Sequence, residues 1–208
     1  ALDLARRGHR VTAVARARGS SAPSRVKELQ AAGVSLVHAD LSRPGELSAA
    51  VEPRDVEVLV HGVCSFLEPT SNDSLTLRAM DEVLALGARC PRLRQAITLG
   101  NNLVLDPRRE DDFPDEDYPC EPVTRHGQNK LEVERRLERS GLPWVVLRIP
   151  QVYGGVGSSF DWIMVDPIQR RAFPVPCDGK NRVSLVHVDD VAQAVRLVIE
   201  RGARDRRY

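Results

Sequence analysis

Two small groups of side chains in this sequence carry the residue types that move protons or hold phosphate. His126 and Lys130 stand four residues apart, behind a threonine, Thr124, that is able to cap a helix. Positions i and i+4 share one helix face, so imidazole and ammonium are expected side by side. Histidine transfers protons near neutral pH, and a neighbouring lysine charge disfavours the imidazolium, leaving a ring that suits a base better than an acid. Asn101, two residues beyond the apolar run 96–99, carries a side-chain amide able to donate a hydrogen bond. Each residue also has a plainer reading: His126 exposed in a first helical turn, and Asn101 capping a loop. The second group is Arg16 and Arg18, which close another expected strand, either as phosphate ligands or as solvated surface.

Other candidates carry less. His187, Asp189 and Asp190 have metal-ligand types but no second ligand cluster nearby, so His187 is expected to pack in a strand and Asp189 to serve as an N-cap. The acidic run Glu110, Asp111, Asp112, Asp115, Glu116 and Asp117 contains no histidine and reads as a solvated loop. No metal site is expected. Cys64, Cys90, Cys120 and Cys177 are dispersed, with no CxxC pair, which fits a reducing compartment and a cytoplasmic protein. Cys64 is expected to be buried, and His9 and His38 to be structural or exposed.

The elements that must position these residues alternate. Helical signals cover 1–7, 26–32, 44–51, 75–86, 125–139 and 191–200. Strand signals cover 10–15, 34–39, 56–60, 96–99, 144–149 and 182–188. The almost unbroken apolar run 56–60 predicts a strand buried on both faces. Short apolar strands alternating with helices predict an α/β fold, a doubly wound parallel sheet with helices on both sides. Thirty basic and 29 acidic residues give a formal net charge of +1, so there is no electrostatic basis for nucleic-acid binding. No apolar run reaches membrane-spanning length.

Several segments, in order, resemble the extended short-chain dehydrogenase/reductase family, which includes NAD-dependent epimerases and dehydratases. Residues 1–11 resemble its first helix and the turn into the second strand, and Asp40-Leu41 the pair that ends the third strand near the adenine. Residues 115–130, DEDYPCEPVTRHGQNK, resemble the loop and helix of its YxxxK motif. Residues 147–154, LRIPQVYG, resemble the strand leading to the substrate lobe, and 185–192, LVHVDDVA, a late strand–helix junction.

The resemblance implies a Rossmann-like domain over 1–152, part of a substrate-binding lobe over 153–181, and a returning strand and helix over 182–208. It also implies that a glycine-rich turn and a first strand lie upstream of Ala1, where the backbone approaches the pyrophosphate. Two site positions depart from the family: His126 stands where its catalytic tyrosine does, and Asn101 where it has Ser or Thr. Lys130 matches the lysine that binds the nicotinamide ribose. His61-Gly62 and Pro150 line the cofactor cleft, Asp40-Leu41 meet the adenine, and Gln151 and Arg182 touch substrate. An arginine at Arg16, where an acidic residue would bind the 2′-hydroxyl of NAD, favours NADP.

The expected function is therefore an NAD(P)-dependent oxidoreductase or epimerase/dehydratase acting on a hydroxyl/carbonyl, sugar-like small molecule, in a monomer or a homodimer. The competing expectation is a non-catalytic dinucleotide-binding or redox-sensing protein that has lost its proton-transfer group.

Overall fold

The computed structural model describes residues 1–16, 23–63, 74–105, 114–155, 160–174, 178–180 and 182–208. Arg18, Cys64 and Cys177 lie outside them. The chain opens with α1 (Leu2–Arg6), β1 (Thr12–Ala15), α2 (Pro23–Ala31), β2 (Ser35–His38) and α3 (Glu46–Ala50). It continues through β3 (Val58–His61), α4 (Leu75–Gly87), β4 (Gln95–Asn101), α5 (Arg125–Arg139) and β5 (Trp144–Ile149). β6 (Gln151–Tyr153), α6 (Asp166–Gln169), β7 (Leu185–His187), α7 (Val188–Arg201) and β8 (Arg206–Arg207) complete it.

All pairings are parallel. β1 pairs with β2, β3-β4-β5-β8 form a four-stranded sheet in that order, and β6 pairs with β7. Parallel neighbours require crossover connections, and here those are the helices. Val145 and Val146 of β5 face opposite ways, as a period of two demands. Val146 joins Met80, Val83 and Leu86 of α4 and Val133 and Leu137 of α5 in one cluster. Val145 joins Val195, Val198 and Ile199 of α7 in the other. The expected doubly wound α/β architecture is thus what the chain adopts. Among the described residues no helix is long and apolar enough to cross a membrane.

Three expectations need correction. The apolar run at 56–60 is not buried on both faces: Val60 is 45% exposed, as Val14 of β1 is at 39%. Among the described residues β3 pairs only with β4 and β1 only with β2, and the cluster beneath α7 reaches Val58 but not Val60. The helix expected from Pro44 starts at Glu46, because Gly45 adopts a left-handed conformation (φ 84°) that its lack of a Cβ permits. Asp189 is not the N-cap of the last helix. That helix begins three residues early, at Val188, and the Nδ1 of His187 caps it by accepting from the Asp189 N–H at 3.3 Å.

One buried ion pair ties α5 to β5. Arg148 Nη2 lies 2.8 Å from Glu134 Oε2, with side chains 5% and 1% exposed. Arg148 Nη1 also donates to the Glu116 carbonyl at 3.1 Å. Removing one member of such a pair strands a buried charge, at a cost of about 3–5 kcal/mol, whereas an apolar replacement of both is far better tolerated. Urea unfolding of Glu134→Leu is therefore expected to show a loss of that size, and Glu134→Leu/Arg148→Met a recovery of most of it. Equal loss in single and double variants would contradict this account.

Candidate functional site

Within each of the three parallel sheets the strand carboxyl ends lie on one side, the side on which parallel α/β sheets bind ligands. Arg16 follows β1, Asp40 and Leu41 follow β2, Gly62 follows β3, Asn101 ends β4, and Pro150 and Gln151 follow β5.

At the carboxyl end of the β1–β2 pair Arg16 is exposed and acts electrostatically on Asp40. Asp40 Oδ1 accepts from the Ser42 backbone N–H at 2.9 Å and from its hydroxyl at 2.7 Å. The Asp40 backbone N–H in turn donates to Glu46 at 2.7 Å. The Ser42 hydrogen bonds hold the Asp40 carboxyl below its ordinary range, with smaller contributions from Arg43 and Arg16. Asp40 thus orders the turn into α3, and Leu41 packs partly buried on the α4/α5 core.

At the centre stands a residue whose side chain the sequence did not single out. His61 is 2% exposed, and its Nδ1 lies 3.0 Å from Thr98 Oγ1 on the paired strand. Its Nε2 is buried without a hydrogen-bond partner among the described residues. Burial, and secondly the charge of Lys130, push the imidazole down to about 3. It was the His61-Gly62 backbone that was expected to line the cleft; the imidazole instead turns into the core, while Gly62 is exposed. Buried Thr98 and Gln95 interrupt an otherwise apolar strand, and that polar break was the available signal of a buried polar cluster.

Lys130 completes the cluster. It is 4% exposed, and its Nζ donates to the Leu99 carbonyl at 3.0 Å. α5 places it there because Thr124 Oγ1 caps the helix by accepting from Gly127 N–H at 3.1 Å. Gly127 also permits close approach, since a Cβ there would stand 2.6 Å from the Leu103 carbonyl. His126, half-buried, occupies the turn before Lys130 on the same helix. Asn101 Oδ1 accepts from Leu103 N–H at 2.8 Å, so its side-chain carbonyl caps the turn that follows β4.

The remaining candidates sit apart. Gln151 lies in β6, in register with Leu185 of β7, and exposed Arg182 precedes β7 by three residues. His187 is a helix cap stacked edge-on against Tyr153, with ring centroids 5.2 Å apart, and Asp189 is 3.6 Å from its Nδ1. No group of three or more potential metal ligands occurs among the described residues.

A parallel sheet flanked by helices, with charged and polar side chains gathered at the strand carboxyl ends, defines a Rossmann-like α/β protein. The chain belongs to the NAD dependent epimerase/dehydratase family, whose model matches residues 1–208. Among solved structures it is similar to a dTDP-glucose 4,6-dehydratase from Bacillus anthracis in complex with NAD. The TM-score is 0.81 at 18% identity, over 97% of this chain and 66% of that one. A UDP-glucuronic acid 4-epimerase from Bacillus cereus gives a TM-score of 0.80 at 14% identity, over 99% of this chain and 71% of that one. Vestitone reductase from alfalfa gives 0.74 at 19% identity, over 100% and 70%.

Among curated sequences, an uncharacterized protein of Sinorhizobium fredii, y4nL, is 25% identical over 191 residues, which is 86% of this chain and 53% of that protein. The bovine methionine adenosyltransferase 2 subunit beta is 33% identical over 116 residues, or 52% and 33%. The chain therefore spans about half or less of the curated relatives it matches.

The depressed His61 gives a pH signature. In the unfolded chain it takes a proton near 6.5, while the folded ring stays neutral to about 3. Its contribution is fully present above 6.5 and is lost as pH falls toward 3, at about 1.4 kcal/mol per pH unit between those values. Urea midpoints measured from pH 7 to 4 should fall less steeply in His61→Gln than in the wild type. Parallel profiles would refute the assignment.

Proposed function

We propose that this chain is the dinucleotide-binding part of an NAD(P)-dependent oxidoreductase or epimerase/dehydratase acting on a hydroxyl- or carbonyl-bearing, sugar-like substrate. The observation that carries the reading is Lys130, a buried ammonium held on a strand carbonyl at the rim where parallel α/β sheets bind ligands. The residues fit a nicotinamide dinucleotide: a cation at each end of the rim, Arg16 and Lys130, and exposed Gly62 backbone between them. When bound, such a cofactor supplies a hydride acceptor or donor.

The chain's own groups would do the rest. Lys130 holds the ribose hydroxyls. His126, one turn before it, takes the proton from a substrate hydroxyl as a neutral imidazole. Asn101, its carbonyl fixed on Leu103 N–H, offers its amide N–H to the oxygen on which charge develops. Gln151 and Arg182, brought into one small β6–β7 unit, serve the substrate. Arg16 beside Asp40 supports NADP over NAD, with Arg18 as its companion and Asp40-Leu41 against the adenine. Dispersed cysteines support a cytoplasmic location.

Two experiments test this on the full-length protein. Calorimetry should show NADPH binding at least about tenfold tighter than NADH, the scale of a charge-assisted phosphate contact, and Arg16→Ala should erase the difference. Equal affinities would remove the NADP assignment. His126→Ala should lower turnover by about a hundredfold or more, while leaving cofactor affinity intact. If turnover is measurable and His126→Ala leaves it unchanged, histidine is not the proton-transfer group. If dinucleotide binds but no substrate turns over, the site is a non-catalytic or redox-sensing one.

A further inference from the structure

His61 and Lys130 reach the same small volume from two different elements. His61 ends β3 and is in register with Thr98 of β4, to which its Nδ1 is bonded. The next residue of β4, Leu99, offers the carbonyl that receives Lys130 Nζ from α5. Both side chains are almost fully excluded from water, at 2% and 4% exposure, and the charge of Lys130 is felt at the imidazole. Two buried cations this close repel strongly in a medium less polarisable than water, so the arrangement is stable only with one charge. Glu134, further along α5 and 1% exposed, does not neutralise a second charge here, because it is engaged by Arg148. Nε2 is buried without a hydrogen-bond partner among the described residues, and a positive charge nearby favours the neutral ring.

We propose that His61 is a positioning residue for Lys130: its neutral ring, with Nδ1–H donated to Thr98 and the Nε2 lone pair left on the side of the ammonium, keeps Lys130 seated on the Leu99 carbonyl and ready for ligand. This rests on the reading of Lys130 as a dinucleotide-binding residue, and goes beyond it by assigning a role to the buried His61 imidazole. The residue type matters. A hydrophobic side chain leaves the Thr98 hydroxyl without its partner and removes the lone pair that faces the ammonium. A glutamine keeps an uncharged polar group in the same place.

The test is a double-mutant cycle in the full-length protein, with NADH binding followed by its fluorescence. Lys130→Met should weaken binding by about tenfold or more, as loss of a charge-assisted hydrogen bond does. His61→Leu should weaken it by about fivefold in the presence of Lys130 and by less than about twofold in the Lys130→Met background. His61→Gln should recover affinity to within about twofold of the wild type. An equal effect of His61→Leu in both backgrounds means a structural role only and overturns the proposal.

Nitrogen-15 spectra of the imidazole supply a readout independent of NADH. The wild type should hold the Nδ1–H tautomer, and Lys130→Met should shift the population toward Nε2–H. Unchanged tautomer populations also overturn the proposal. If Lys130→Met leaves NADH affinity intact while the tautomer shifts, the dinucleotide reading of Lys130 fails and the coupling between the two residues stands.

Discussion

Parallel pairing is the constraint from which the rest of this molecule follows. Among the described residues every hydrogen-bonded strand pair points the same way, so the connection between paired strands must travel back across a face, and within each sheet the carboxyl ends lie on one side. Residues far apart in sequence, such as His61 at the end of β3, Leu99 of β4 and Lys130 of α5, are brought together in this way. The helices are amphipathic because they must cover the sheet. α4 and α5 bury one face and α7 the other, and Gln95 of β4 fastens the end of α7 by donating to the carbonyls of Val198 and Ala203, both at 2.8 Å.

The two faces differ in what they bury. Beneath α7 the sheet buries aliphatic side chains and Gln95, whereas between α5 and the sheet lie His61, Thr98 and Arg148 from the strands and Lys130 and Glu134 from the helix. A face with that many polar groups is stable only if the groups partition into satisfied sets. Glu134 and Arg148 form one set, with Arg148 reaching the Glu116 carbonyl and the Cys120 sulfur as well. His61, Thr98, Lys130 and the Leu99 carbonyl form the other, with His61 Nε2 left without a hydrogen-bond partner among the described residues. The loop before α5 is thereby tied to β5 by one set, and the helix itself to β4 by the second. This fixes the position of the turn that carries His126.

Legibility in the sequence followed local chemistry. The α5 boundaries and its Thr124 cap, and β5 in full, were readable because a cap, a helical period and a bounding glycine agreed in one place. The doubly wound α/β plan was readable from the alternation of strands and helices. β6 and β8 were not, at three and two residues, because their existence depends on partners far away in sequence. Exposure of Val60 was unreadable for the same reason: apolar character reports suitability for burial, not whether a neighbour arrives. At the site, the resemblance of residues 115–130 to the family's YxxxK segment disclosed Lys130, but no spacing links His61 to Thr98. Their approach is a matter of strand register, which a one-dimensional pattern does not contain.

The departure at residue 126 has a structural counterpart in the residue beside it. An imidazole is shorter than a phenol, so a histidine on this helix reaches less far from the backbone than a tyrosine does. For it to meet the same reacting oxygen, either the substrate must sit deeper or the helix must come closer. Gly127 allows the second: with no Cβ it lets the first turn of α5 lie directly on the Leu103 carbonyl, in the turn that Asn101 caps. Any larger residue at 127 would push the helix start away from that turn and carry His126 with it. On the proposed reading of His126 as the proton-transfer group, the glycine and the histidine belong to one arrangement, in which a short side chain is matched by a close helix.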